Sequence, residues 1–262
     1  MTIVKEDNQI NKKNKKRALF SIIVPCYNAA SSIERTLLAV SQQTFKDFEV
    51  IVINDGSADL SLQLINNFIS IDPRFKLINL TQNQGLSHAR NLGLDYSTGK
   101  YICFLDSDDW WPSDKLEVFK TYFNKGYDFL FSDYTRVYEN TKKEAYVKVK
   151  KEIKYEDLLM FNPIPLSSVS FDSEKLGMIK FRDIKLSEDW IFWLDLFKNK
   201  IRPLGINKNL MFYNVHPNAS SSNKLKMISR AWYIYRDYQG VSFLRASFYL
   251  VFYILNAIKK RL

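Results

Sequence analysis

The sequence is sparing with the residues that most sharply limit a fold. Its two cysteines, Cys26 and Cys103, sit in separate apolar runs with neither a CxxC pair nor metal-ligand spacing. That excludes a disulfide framework and a zinc module, and both read as buried free thiols of a reducing compartment. None of the eight glycines falls in a GxGxxG or GxxxxGK pattern, so the glycine cradles that hold dinucleotides and nucleoside triphosphates are missing. The first residues are polar and lysine-rich and lack the apolar core of a signal peptide, which predicts a cytoplasmic body. Residues 241–258 are nearly all apolar, yet they carry Arg245 and fall short of the ~20 apolar residues that a spanning helix wants.

Excess positive charge is missing from most of the chain. The net charge of +10 belongs to the two ends: residues 1–17 hold six Lys/Arg against two acids, and residues 223–262 hold eight against one. The stretch between them has 24 basic and 25 acidic side chains. A neutral body with basic ends argues against a groove tracking nucleic acid and suits a surface held against anionic lipid. With 46% hydrophobic and 15% aromatic residues in 262, the chain has ample material for one large domain or two small ones.

What is present is a run of alternating apolar stretches. Strands are predicted at 19–24, 48–53, 75–80 and 101–105, with helices between them from about Ser32, after Asn54-Asp55-Gly56-Ser57, and after Asn83-Gln84-Gly85. That alternation predicts a parallel, twisted α/β sheet with helices on both faces. Ligands in such sheets bind beyond the carboxyl ends of the strands, where Tyr27, Asp55 and Asp106-Ser107-Asp108-Asp109 all fall. Three carboxylates in four positions repel one another unless a cation or a set of donors meets them. Residues two apart on an extended chain face one side, so Asp106 and Asp108, an Asp-x-Asp (DXD) pair, can share one ligand, and hard oxygen donors suit Mg²⁺ or Mn²⁺. A loop capping the next helix is the alternative. An EF-hand is not, because Trp110 and Trp111 stand where it needs an oxygen ligand and a glycine.

Downstream, a helix is predicted at 114–125, a strand at 129–132, an exposed Lys/Glu-rich excursion at 139–156, a short helix at 155–161, a rigid loop at 162–165 and a strand at 166–171. Glu188 and Asp189 follow Ser187, a good N-cap residue; by spacing alone they are acids favourable at a helix N-terminus.

The set Ser21-Ile22-Ile23-Val24-Pro25-Cys26-Tyr27-Asn28, Val52-Ile53-Asn54-Asp55-Gly56-Ser57, Asn83-Gln84-Gly85 with Ala89-Arg90-Asn91, and Asp106-Ser107-Asp108-Asp109 resembles the family 2 glycosyltransferases of GT-A fold over the first half of the chain. The resemblance implies a nucleotide-sugar donor, with Pro25, Tyr27, Asn28 and Asp55 around base and ribose, Arg90 near the diphosphate, and Asp106, Ser107 and Asp108 holding ribose and metal. Asn54 departs from it, because the family usually has a second Asp there. It further implies that Asp189 is the general base, with Glu188 supporting it, and that transfer inverts the anomeric configuration. His216, in Tyr213-Asn214-Val215-His216, stands where relatives have a His that contacts metal or diphosphate, with Asn214 in place of an Arg; His88 is not expected in the site.

The processive Gln-x-x-Arg-Trp element is absent, so addition of a single sugar, from a UDP-sugar to a saccharide acceptor, is implied. The implied setting is a lipid-linked acceptor in the synthesis of a capsule or lipopolysaccharide, on the inner face of the cell membrane. An inactive nucleotide-sugar binding protein is the other reading. The organisation expected is a disordered tail at 1–17, a catalytic domain at 18–222 and a helical extension at 223–262. Its apolar segment either lies in a membrane interface or packs on the catalytic domain.

Overall fold

The computed structural model describes residues 17–177, 179–184, 187–216 and 224–259. The expected tail thus lies outside the described residues except for Arg17, as do residues 217–222 and the final Lys260 and Arg261. Strands β1 (Phe20–Cys26), β2 (Phe48–Asp55), β3 (Phe75–Leu80) and β4 (Tyr101–Phe104) pair in parallel in the order β3-β2-β1-β4. Helices α1 (Ile33–Ser41), α2 (Ser61–Ile71) and α3 (Leu86–Tyr96) form the crossovers. Every residue of β1 and β2 is buried. A parallel strand covered on both faces has no wet side, and continuous apolar runs such as Val50-Ile51-Val52-Ile53 follow from that.

After α4 (Lys115–Phe123) the sheet becomes mixed. β5 (Phe129–Tyr138) takes β6 (Lys143–Val147) and β7 (Ser170–Asp172) as antiparallel neighbours and β8 (Pro203–Asn214) as a parallel one, while β7 also pairs antiparallel with β4. Three details differ from the sequence expectation. The 166–171 strand shrinks to β7 because Leu166–Ser168 is a 3-10 turn whose Ser167 carbonyl accepts from Trp111 Nε1 (2.8 Å) and Lys115 Nζ (2.9 Å), leaving it no place in a ladder. The Lys/Glu-rich excursion contains β6, whose charge suits an edge strand. β8 escapes a period-2 reading because its register with β5 shifts on either side of Asp133.

Helices α5 (Tyr155–Met160) and α7 (Glu188–Phe197) close one face of the sheet, with the single turn α6 (Ser173–Leu176) between them in the chain. α7 is apolar nearly all round because it is enclosed on every side. Phe192 lies flat on Phe181 (4.1 Å between centroids, 7°) and meets Phe104 and Phe171 of the sheet. Trp190 and Trp193 donate their indole N–H groups to the Leu158 and Ile164 carbonyls, at 2.7 and 3.3 Å.

The chain ends in α8 (Lys224–Tyr233), a π-helical turn Ile234–Tyr238 and α9 (Phe243–Lys259). Of the two placements foreseen for the apolar segment, the contacts of α9 concern the packed one. Ala246 and Tyr253 are buried, and Tyr253 stacks on Trp190 (5.3 Å, 6°), whereas Phe243, Leu244, Phe248, Val251 and Leu255 are exposed, Leu244 by 81%. Among the described residues no helix is long and apolar enough to cross a membrane.

Phe192→Ala removes the ring that joins α7 to the sheet. Truncating a buried Phe costs about 3–5 kcal/mol, so the urea midpoint falls accordingly, with the slope unchanged.

Candidate active site

The carboxyl ends of β1, β2 and β4 converge, as the alternation predicts. Past β1, Tyr27 is exposed and Asn28 takes a left-handed φ of 49°, tolerable for Asn. Asn28 donates its N–H to Ser57 Oγ (3.0 Å) and accepts from the Ala58 N–H (2.9 Å), which ties the β1 loop to the β2 loop. Asp55 at the end of β2 is buried and accepts from the N–H groups of Gln84 (2.8 Å) and Gly85 (2.9 Å), so both its oxygens are occupied in holding the third loop. Gly56 makes this possible. It has φ of 69°, and a Cβ there would lie 2.5 Å from the Gln82 carbonyl carbon. Pro25 is buried inside β1, below this rim.

The acidic loop after β4 is held from three sides. The Asp106 N–H donates to Ser167 Oγ (3.0 Å), Thr36 Oγ1 donates to the carbonyls of Ser107 (3.0 Å) and Asp109 (2.8 Å), and Arg35 donates to the Asp108 carbonyl (3.1 Å). Trp110 forms an antiparallel bridge to Phe212 of β8, their rings stacked at 5.3 Å, with the Arg35 guanidinium 3.9 Å from the indole centroid. Asp109 is buried; Oδ1 accepts the Asn214 N–H (3.0 Å) and Oδ2 has no partner. Burial and then the neighbouring Asp108 and Asp106 push its pKa well above the usual carboxylate range. Asp108 is raised too, by burial and by Asp106, with His216 opposing.

Asp108 Oδ2 and His216 Nε2 are 2.8 Å apart, so the two predicted metal ligands meet. Among the described residues no three His, Cys, Asp or Glu side chains form a ready-made metal cage. Mg²⁺ or Mn²⁺ used with a phosphate ligand takes one or two protein carboxylates and completes its shell from substrate and water, and Asp108 with His216 could offer such a partial shell. Mutually repelling, desolvated carboxylates with an orphan oxygen beside them are the electrostatic counterpart of a bound cation.

Arg90 differs from expectation in its partners. It is 3% exposed, and its terminal nitrogens donate to Asp106 Oδ1 (2.8 Å) and Glu188 Oε1 (2.9 Å). The guanidinium is thus already engaged by two acids. Glu188 opens α7, and Ser187 before it has φ of 71° and makes no capping bond through its side chain, so its N-cap role is positional only. Asp189 Oδ2 accepts from Asn162 (3.1 Å) and Oδ1 from its neighbour's N–H at Trp190 (2.7 Å). Burial first, then the Glu188 charge, lift its pKa to about 6 against the pull of Arg90.

Asp106, Asp109, Arg90, Glu188 and Asp189 share the wall of one cavity of about 460 Å³. A hollow of about 540 Å³ beside α4 and β8 is lined by Lys125, Lys151 and Lys208 without a carboxylate and holds none of the predicted site residues. His88 lines neither. Sequence reading missed Arg136 of β5, Arg230 of α8 and Tyr253 of α9, which also line the cavity shared by Asp106 and Asp189. Nothing local marks the two arginines, although Met227 and Arg230, three apart, share one side of α8.

Comparison with known proteins gives a family match and relatives along nearly the whole chain. Residues 21–182 match the family model described as Glycosyl transferase family 2. The chain is 33% identical, over 94% of its length and 98% of the relative's, to the putative teichuronic acid biosynthesis glycosyltransferase TuaG of Bacillus subtilis. It is 32% identical, over 92% and 94%, to the UDP-Glc:alpha-D-GlcNAc-diphosphoundecaprenol beta-1,3-glucosyltransferase WfgD of Escherichia coli. S. aureus TarS 1–349 in complex with UDP-GlcNAc superposes with a TM-score of 0.70, 21% identity and coverage of 90% and 71%. The mannosyltransferase PcManGT of Pyrobaculum calidifontis, in complex with GDP-Man and Mn²⁺, does so with 0.65, 18%, 90% and 70%. The mostly parallel sheet flanked by helices is therefore the GT-A arrangement anticipated from the motifs.

Arg90→Ala strands Asp106 and Glu188 without their shared cation. Breaking a buried pair in this way costs about 3–5 kcal/mol, read as a lower denaturant midpoint, and Arg90→Lys recovers part of the loss.

Proposed function

Because the chain belongs to glycosyl transferase family 2, we propose that it moves one sugar, with inversion, from a UDP-sugar to a lipid-linked saccharide in the synthesis of a cell-surface polysaccharide. The observation that carries this reading is Asp189: a carboxylate fixed by two hydrogen bonds, raised to about 6, in the wall of the cavity that Asp106 also lines. A base with a pKa near working pH combines a high ionised fraction with useful basicity. Asp189 takes the proton of the acceptor hydroxyl as that oxygen bonds to the anomeric carbon. The bond from that carbon to the diphosphate breaks on the opposite face, and inversion follows.

Glu188 and Arg90 act around this step. Arg90 holds Glu188 and Asp106 in place, and its charge lowers the pKa of Asp189, which keeps the base ionised nearer to neutrality. Tyr27, Asn28 and the loops joined by Asp55 form the rim assigned to the nucleoside, with Asp106 and Ser107 at the ribose. A divalent cation on Asp108 and His216 would supply positive charge to the departing diphosphate. The membrane side of the proposal rests on the exposed apolar residues of α9 beside a basic chain end, and on relatives such as WfgD, whose acceptor is a diphosphoundecaprenol. A peripheral position on the inner face of the membrane is the placement these features favour.

Incubation with a panel of nucleotide sugars tests the reading. A UDP-sugar raises the melting temperature with Mn²⁺, the shift vanishes with EDTA, and Asp108→Ala abolishes it; absence of any shift across the panel refutes the donor site. Asp189→Asn lowers transfer by about 10²–10⁴, the usual worth of a general base, and keeps the donor-induced shift. Since Asp189 works ionised, kcat/KM rises about tenfold per pH unit up to pH 6 and levels above it. A profile flat from pH 5 to 8 assigns the base elsewhere.

A further inference from the structure

The catalytic cavity contains three guanidinium groups in three different electrostatic states. Arg90 is met by two carboxylates. Arg136 donates to the Tyr134 phenol at 3.3 Å and lies 5.8 Å from its ring. Arg230, half-buried on α8, pairs with no carboxylate among the described residues. A half-exposed guanidinium in the cavity wall is accessible to an anion that enters the cavity. Its fixed fork matches phosphate oxygens two at a time.

The position of Arg230 says which anion. It is close enough to Tyr253 for its charge to oppose the rise that burial gives that phenol. Tyr253 stacks on Trp190, the residue after Asp189. Arg230 therefore lines the same cavity as Asp189, Trp190 and Tyr253, on its C-terminal helical side, whereas the donor's diphosphate is assigned to Asp108 on the sheet edge. Tyr253 belongs to α9, and the same helix exposes Phe243, Leu244, Phe248, Val251 and Leu255. A bilayer surface covering that stripe lies across α9 from Tyr253 and the cavity, with the helix between them. Residues 223–262, with eight Lys/Arg and one acid, complement an anionic surface.

We propose that Arg230 binds the diphosphate of a lipid-linked acceptor, whose lipid stays in the membrane that covers the exposed stripe of α9. This rests on the lipid-linked acceptor reading above. The diphosphate at Arg230 fixes how far the acceptor sugar reaches, and so which hydroxyl meets Asp189. It also separates the two diphosphates of the reaction, one at the sheet edge and one on the helical wall.

Vesicle co-sedimentation of the full chain tests this without catalysis. Three compositions are compared: phosphatidylcholine alone, phosphatidylcholine with phosphatidylglycerol, and phosphatidylcholine with undecaprenyl diphosphate. One charged hydrogen-bonded contact is worth about tenfold or more in affinity. The diphosphate lipid accordingly strengthens wild-type retention by about tenfold over phosphatidylcholine. Arg230→Gln removes that gain and leaves retention on phosphatidylglycerol vesicles as in wild type, Arg230→Lys restores part of it, and Arg245→Gln, on exposed α9, weakens both anionic arms together. Equal binding of wild type and Arg230→Gln to the diphosphate vesicles overturns the proposal. So does a parallel loss on both anionic vesicles, a loss of the UDP-sugar thermal shift in Arg230→Gln, or wild-type failure to bind any vesicle. Failure of the general reading shows differently, as no nucleotide sugar stabilising the protein, whatever the vesicles report.

Discussion

A guanidinium removed from water keeps its charge, so a buried arginine compels its surroundings to supply acids. Arg90 imposes this on the whole molecule. It projects from α3 and joins Asp106 at the end of β4 to Glu188 at the start of α7, 98 positions along the chain. The parallel half of the sheet and the half that carries α7 are therefore registered to each other by one charged group. Few arrangements of α7 satisfy that demand and also let Phe192 and Trp193 pack into the sheet. Charge fixes the angular position of the helix start, and aromatic packing fixes its depth.

Around this clamp the site stores unfavourable electrostatics. Burial and Asp106 raise Asp108, burial and both neighbouring aspartates raise Asp109, and Lys115 is lowered to about 7 by its own burial. The loop tolerates this because its backbone is over-determined, by Thr36, Arg35, Ser167 and the Trp110–Phe212 bridge. Backbone anchoring holds the loop in place while its carboxylates repel one another, so the local electrostatic cost is borne by bonds made elsewhere in the loop.

The last two helices change the meaning of the cavity. Met227 and Arg230 of α8 and Tyr253 of α9 complete the lining of the cavity from the C-terminal side, and the opposite side of α9 is exposed and apolar. α9 buries Ala246 and Tyr253 on one side and leaves Leu244, Phe248, Val251 and Leu255 exposed on the other, where Arg245 also lies exposed.

The sequence by itself determined the parallel α/β half. Four apolar runs, their intervening helices and the polar residues at their ends are local patterns, and each of Tyr27, Asp55 and Asp106 lies at a strand end because strand length and topology leave no other place for it. The Asp108–His216 pair was also legible, though only through likeness to a family, since 108 positions separate the two. Tertiary structure alone decided the rest. Ser167 turns instead of extending because two side-chain donors claim its carbonyl, β8 joins the sheet through a shifted register, and Arg90 spends its charge on two acids. Arg136 and Arg230 become cavity residues because elements distant in the chain fold over one another. Periodicity records which face of an element is buried; it carries no information about which distant group a charge will meet, and that pairing is set only when burial removes the water that would otherwise have satisfied it.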